Sequence, residues 1–201
     1  MKKAVRIILC VLMVMLFTAC GKQSVAGSWE YTQDMSRYLE ASAAEQGLTG
    51  VPGGLELVLV FDFGTNGTYH FYIDEAASEE SFNTWLASYK QYTIDYVYAA
   101  YKEKGLNKEQ TDSAIRDMYG KSTEEYVSEY LASYTLNDVV DNPEKFGKYR
   151  EDGSKIYFED ANGSSVGYSV KGENLVLTFD DANLLLTGMD NKIKCTSRPI
   201  P

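Results

Sequence analysis

Residues 55–73 constrain the chain more than any other stretch. Leu55, Leu57, Leu59, Phe61 and Phe63 recur at every second position, Asn66-Gly67 follows, and Tyr69, Phe71 and Ile73 alternate on the far side. Period-two apolar runs flanking Asn-Gly specify an antiparallel hairpin, with both turn residues expected at positive φ. Val58 and Val60 make the other face of the first strand apolar too, so a helix is expected to cover it.

The pattern changes on both sides of this hairpin. Before it, residues 27–31 read as a short strand. Residues 33–46 read as a helix, with Asp34 as N-cap and Gly47 at the C-terminus, and Gly50, Pro52, Gly53 and Gly54 then break the chain. After it, Phe82, Trp85, Leu86, Tyr89, Tyr92, Tyr96 and Val97 recur at helical spacing. Asn107 with Gln110, and Ser122 with Glu125, fit capping boxes that would open two more helices. Gly105 and Gly120 stand where left-handed C-caps are wanted. Residues 77–136 therefore read as a helical insertion of three segments.

Strands return at 145–150, 155–159, 166–171, 175–179, 184–187 and 192–196, joined at Asp152-Gly153, Asn162-Gly163, Gly172, Asp180-Asp181 and Asp190-Asn191. A meander of about eight or nine short strands leaves two open edges unless it closes on itself. The expected class is α+β: a small antiparallel β-barrel carrying a three-segment helical insertion. No fixed-period repeat is present.

The N-terminus has its own logic. Lys2, Lys3 and Arg6 precede an apolar run from Ile7 to Phe17, and Thr18-Ala19 lead into Cys20. This is the layout of a secretory signal peptide, and eleven apolar residues are too few for a lasting membrane span. Phe17-Thr18-Ala19-Cys20 resembles the lipobox of bacterial lipoproteins, with Phe where that motif usually has Leu. The resemblance implies cleavage before Cys20 and its acylation, palmitate included, with 20–25 as a lipidated tether. The protein would then be extracytoplasmic and held to a bacterial cell or outer membrane by several acyl chains. Removing residues 1–19 takes away three basic groups and no acidic ones. Nineteen basic against 29 acidic residues becomes 16 against 29, a net charge of −13. Such a chain lacks the basic footprint of a nucleic-acid binder and is not drawn to anionic lipid by charge.

Ala26-Gly27-Ser28-Trp29 matches the G-x-W opening of lipocalins, and Arg198 follows the final strand. The chain resembles a lipocalin-like bacterial lipoprotein over roughly residues 26–74 and 145–198. In that family a terminal basic residue lies across the tryptophan. The resemblance implies Trp29 plugging one barrel end with the Arg198 guanidinium over its face. The helix after the first strand and the insertion at 77–136 depart from the plain lipocalin pattern.

The candidate ligand-binding residues are Tyr69, Phe71, Trp85 and Tyr89, placed to line a barrel mouth beneath the insertion. Nine tyrosines fall between Tyr89 and Tyr134, and Tyr126, Tyr130 and Tyr134 share a helical face. They are expected first as rings that pack the helices onto the barrel with their hydroxyls in water, and, where partly exposed, as a recognition surface. Cys195 stands at strand spacing from Ile193 and is expected to face the core as a small hydrophobe. A zinc site would need more than His70, the single histidine. The turns at 160–163 and 190–191 lack the later ligands of a calcium loop. No serine-hydrolase elbow, phosphate loop or dinucleotide fingerprint is present. The expectation is a binding module for a small apolar or amphipathic ligand, without cofactor or catalytic residues. The alternative is an envelope interaction module that docks another protein through the tyrosine helices.

Overall fold

A computed structural model describes residues 23–140, 144–159, 163–180 and 189–199. The expected signal peptide, Cys20, the first tether residues and the strand expected at 184–187 lie outside the described residues.

Among the described residues, eight antiparallel strands form a closed barrel in sequence order. They are β1 (Gly27–Asp34), β2 (Glu56–Phe63), β3 (Thr68–Ile73), β4 (Lys145–Asp152), β5 (Lys155–Phe158), β6 (Ser165–Lys171), β7 (Asn174–Thr178) and β8 (Lys192–Ser197). β8 returns to β1 through Trp29↔Ser197 and Glu30↔Thr196, so neither edge is left open. Short turns join β2–β3, β4–β5 and β6–β7 at one end. The opposite end carries helix α1 (Ser36–Glu45) between β1 and β2 and the whole helical insertion between β3 and β4.

The alternation at 55–63 does what it promised. Leu55, Leu57, Leu59, Phe61 and Phe63 are all buried, and Phe61 opposes Trp29 on one side and Phe71 on the other. Removing such side chains from water is worth about 1.5–3 kcal/mol each. Val60, on the outer face, is also buried, and Val58 is half-buried. The hairpin turn differs in detail. Gly67 N–H donates to Gly64 O at 3.0 Å, Gly67 has φ 78°, and Asn66 stays at negative φ. Asn66 instead accepts the Thr68 amide and hydroxyl through its own Oδ1. A three-residue loop ending in a left-handed glycine replaces the two-residue turn, so positive φ is needed only once.

β1 continues three residues beyond its expected end at Tyr31. Thr32, Gln33 and Asp34 stay in register with Val58, Leu57 and Glu56. Strand pairing wins over the helical pattern that begins at Gln33. Asp34 is therefore a strand residue, its Oδ1 accepting both the amide and the hydroxyl of Ser36. At the other end of α1, Gly47 has φ 72°, and Leu48 N–H returns to Ala43 O, as a left-handed helix stop requires.

The insertion opens with α2 (Glu75–Glu103), a single helix of 29 residues, roughly 43 Å long. Asp74 caps it by accepting the Ala77 amide at 3.0 Å. β3 ends at Ile73 opposite Leu59, which leaves the earlier part of β2 without that strand partner. Ser78 and Ser81, one turn apart on α2, accept the Val58 and Glu56 amides at 3.0 and 2.7 Å. Two hydroxyls thus finish a ladder that β3 leaves incomplete, and they fix α2 along β2. Helices α3 (Lys108–Tyr119) and α4 (Thr123–Leu131) carry both expected capping boxes, at Asn107/Gln110 and Ser122/Glu125. A short 3₁₀ turn (Leu136–Asp138) leads back towards the barrel.

Candidate functional site

The two barrel ends differ chemically. At the short-turn end, the segment entering β1 forms the closure. Val25 is fully buried, and its carbonyl accepts Trp29 Nε1–H at 2.8 Å. Ser24 donates to Glu151 Oε1 at 2.6 Å, and the Tyr168 hydroxyl donates to the other oxygen of the same carboxylate. Burial, then the Glu151 carboxylate, pushes the Tyr168 phenol up, so it remains a donor.

Trp29 is buried in the core, but Arg198 has a different seat from the one across its ring. Its amide donates to Ser28 O and its Nη2 donates to Asp74 Oδ2 at 2.6 Å. The guanidinium reaches the carboxylate that caps α2 instead of stacking on the indole. A desolvated carboxylate that also holds a helix N-terminus is a stronger partner than a ring face. Val25, not Arg198, fills the place beside Trp29.

Tyr69 and Phe71 lie inside the barrel, not at its mouth. Phe71 packs on Phe61, Phe63, Tyr69 and Phe158 with ring centroids 4.8–5.6 Å apart, mostly edge-to-face. Tyr69 meets Phe158 at 4.8 Å, and Phe63 meets Tyr149 at 5.2 Å. The absent side chain of Gly147 leaves room for the Tyr69 ring, which would lie 3.0 Å from a Cβ there. Rings at these distances fill the interior rather than line a space. Cys195 is buried in this core, and burial pushes its thiol up to about 12.

Trp85 and Tyr89 do reach the mouth. With Tyr38, Ala43, Tyr134 and Asp138 they border a cleft of about 160 Å³ between α1, α2 and the 3₁₀ turn. Trp85 stacks on Tyr89 at 5.0 Å and 13°, and its Nε1–H is taken by Pro52 O at 2.9 Å. Tyr92 and Tyr96 continue the ladder at 6.1 and 6.3 Å, and exposure rises from 3% at Trp85 to 50% at Tyr96. Burial raises the Tyr89 and Tyr134 phenols, and their tyrosine neighbours raise them further. Asp138 is the one formally charged residue of the lining. Hydrogen bonds from the Thr135 hydroxyl and amide hold its carboxyl below the usual range, so it is ionised at neutral pH.

Tyr38 and Asp138 were not among the expected site residues. Tyr134, expected on a helical face with Tyr126 and Tyr130, instead follows the end of α4 at Leu131 and borders the cleft. Tyr38, Leu39, Ser42 and Ala43 form a helical stripe in the sequence that could have drawn attention to α1. Thr135-x-x-Asp138 is a local capping pattern that marks the turn, but Asp138 reaches the cleft only through the return of the insertion to the barrel.

Among the described residues, no group of His, Cys, Asp and Glu could hold a metal ion, and no helix is long and apolar enough to cross a membrane. The fold is a closed eight-stranded antiparallel barrel with helices, a lipocalin-like architecture. No protein-family model, curated protein or solved structure matches the chain.

Proposed function

We propose that the protein is a lipid-anchored extracytoplasmic binding module that takes a small amphipathic ligand at the barrel mouth. The observation that carries this reading is the cleft itself, where the stacked pair Trp85 and Tyr89 meets α1 beside a filled barrel interior. Its volume is below the roughly 300–1,000 Å³ of sites that enclose drug-sized ligands, and suits one ring or one small head group. The reading assigns no catalytic step. Cyclohexanol or indole should raise the melting temperature of the protein, and Tyr89→Ala should remove most of that rise. No shift with either probe would sink the mouth site.

The anchor reading rests on the lipobox-like sequence at Cys20. Four residues span at most about 14 Å between Cys20 and Ser24, which is tied to Glu151 at the closed end. The closed end would then face the bilayer and the helices would point away from it, into the envelope. Cys20→Ser should abolish palmitate incorporation and release the protein from membranes. Retention of label in that variant would refute the anchor.

One observation favours a second reading. Tyr96, Tyr119, Tyr126 and Tyr130 are exposed on the insertion, a surface suited to docking an envelope protein. Loss of a captured partner on removing residues 77–136 from an otherwise folded barrel would move the assignment to that class.

A further inference from the structure

We propose that the mouth cleft selects a small organic cation, an ammonium head group, as its ligand. This deepens the mouth-site reading and rests on it. Four aromatic side chains, Tyr38, Trp85, Tyr89 and Tyr134, border the cleft together with the Asp138 carboxylate. No Lys, Arg or His is among the lining residues. Aromatic rings around a carboxylate are complementary to an ammonium ion, because ring faces and carboxylate both present negative potential.

The hydrogen bonding points the same way. Pro52 O takes the Trp85 N–H and Tyr89 stacks on its ring, so the buried indole forms a wall of the cleft with no donor for an incoming group. Both bonds from Thr135 end on Asp138 Oδ2, and Oδ1 has no partner among the described residues. An anion entering here would meet a carboxylate and no cationic side chain. Asp138 is exposed at the rim of the cleft, where its carboxylate attracts an ammonium ion and gives a neutral ring nothing. The volume of about 160 Å³ suits a trimethylammonium or monoalkylammonium head and leaves any longer chain along the Tyr92–Tyr96 rungs. The charge of −13 left after removal of residues 1–19 concentrates cations around the molecule and steers them inward.

A neutral isostere provides the test. The full-length protein in a non-ionic detergent is titrated by calorimetry with choline and, separately, with 3,3-dimethylbutan-1-ol, which replaces the charged nitrogen by carbon. The cation site predicts that choline binds and that the neutral alcohol binds about tenfold more weakly. Asp138→Asn should weaken choline several-fold without moving the alcohol, and Tyr89→Leu should weaken choline while the melting temperature stays near that of the wild type. Equal binding of the two compounds would overturn the cation proposal and leave a mouth site selected by shape alone. Binding of neither would also overturn it, with cyclohexanol or indole then deciding the fate of the mouth site independently.

Discussion

The barrel interior and the helical insertion use the same residue types to opposite ends. Inside the barrel, Phe61, Phe63, Tyr69, Phe71, Tyr149 and Phe158 form one network of touching rings, none more than 8% exposed. In the insertion, the apolar cluster is small: Ile94, Val127 and Leu131 are buried, with Tyr98 and Tyr134 packed around them and Leu86 and Tyr89 shared with the barrel core. Its rings grade outward to solvent instead of closing on each other. The difference teaches where the stability of the molecule resides. The barrel holds itself together, whereas the insertion is held mainly where α2 meets β2 and leaves several of its tyrosines exposed.

Paired truncations would break or sharpen this comparison. Phe71→Ala removes the ring at the centre of the network and should cost about 3–5 kcal/mol, read as a lower denaturant midpoint for the whole protein. Val127→Ala removes two methyl groups from the insertion cluster and should cost about 1–2 kcal/mol at ~0.8 kcal/mol per carbon. Its effect should be confined to faster amide exchange in α3 and α4, with exchange in β2 and β3 unchanged. If Val127→Ala loosened the barrel strands as much as the helices, the two regions would be one cooperative unit and the contrast would fall.

Much of the architecture was legible because it is written in local periods. Alternation at 55–63 and 69–73, the capping pairs at Asn107 and Ser122, and the glycine stops fall where short-range chemistry decides. What escaped depends on partners distant in sequence. β1 runs through polar Gln33 because Leu57 pairs with it across the sheet, a force that no local pattern at Gln33 displays. Ser78 and Ser81 look like ordinary helix-surface serines until the early end of β3 exposes the amides they satisfy. The candidate site divided along the same line. Trp85 and Tyr89 reach the cleft because helical spacing placed them on the face that meets the barrel. Tyr69 and Phe71 alternate correctly but turn into an interior whose ring-to-ring filling is a property of side chains from four strands together. Arg198 went elsewhere because the competing carboxylate, Asp74, lies 124 residues away in sequence.

The smallest expected effect concerns that joint, where barrel and insertion are tied. Asp74 caps α2 through the Ala77 amide and pairs with Arg198, whose own amide is fixed to Ser28 on β1. The Ala77 hydrogen bond first, then Arg198, holds the Asp74 carboxyl below its ordinary value of 3.8. A depressed carboxyl favours the folded state where it is ionised in both states, so its contribution is complete above about pH 4–5. That contribution is lost as pH falls through the depressed value, when the native carboxylate must take up a proton. Asp74→Asn keeps a side-chain cap and loses the ion pair, so it should cost less than Asp74→Ala, which loses both and should cost about 1–2 kcal/mol at neutral pH. Measured by urea melts, the gap between wild type and D74N should stay constant from about pH 7 to 5 and close below about pH 4. A gap that persisted unchanged at low pH would mean that the joint is held by shape rather than charge. The barrel and insertion would then be linked through the Ser78 and Ser81 bonds to β2, which do not titrate.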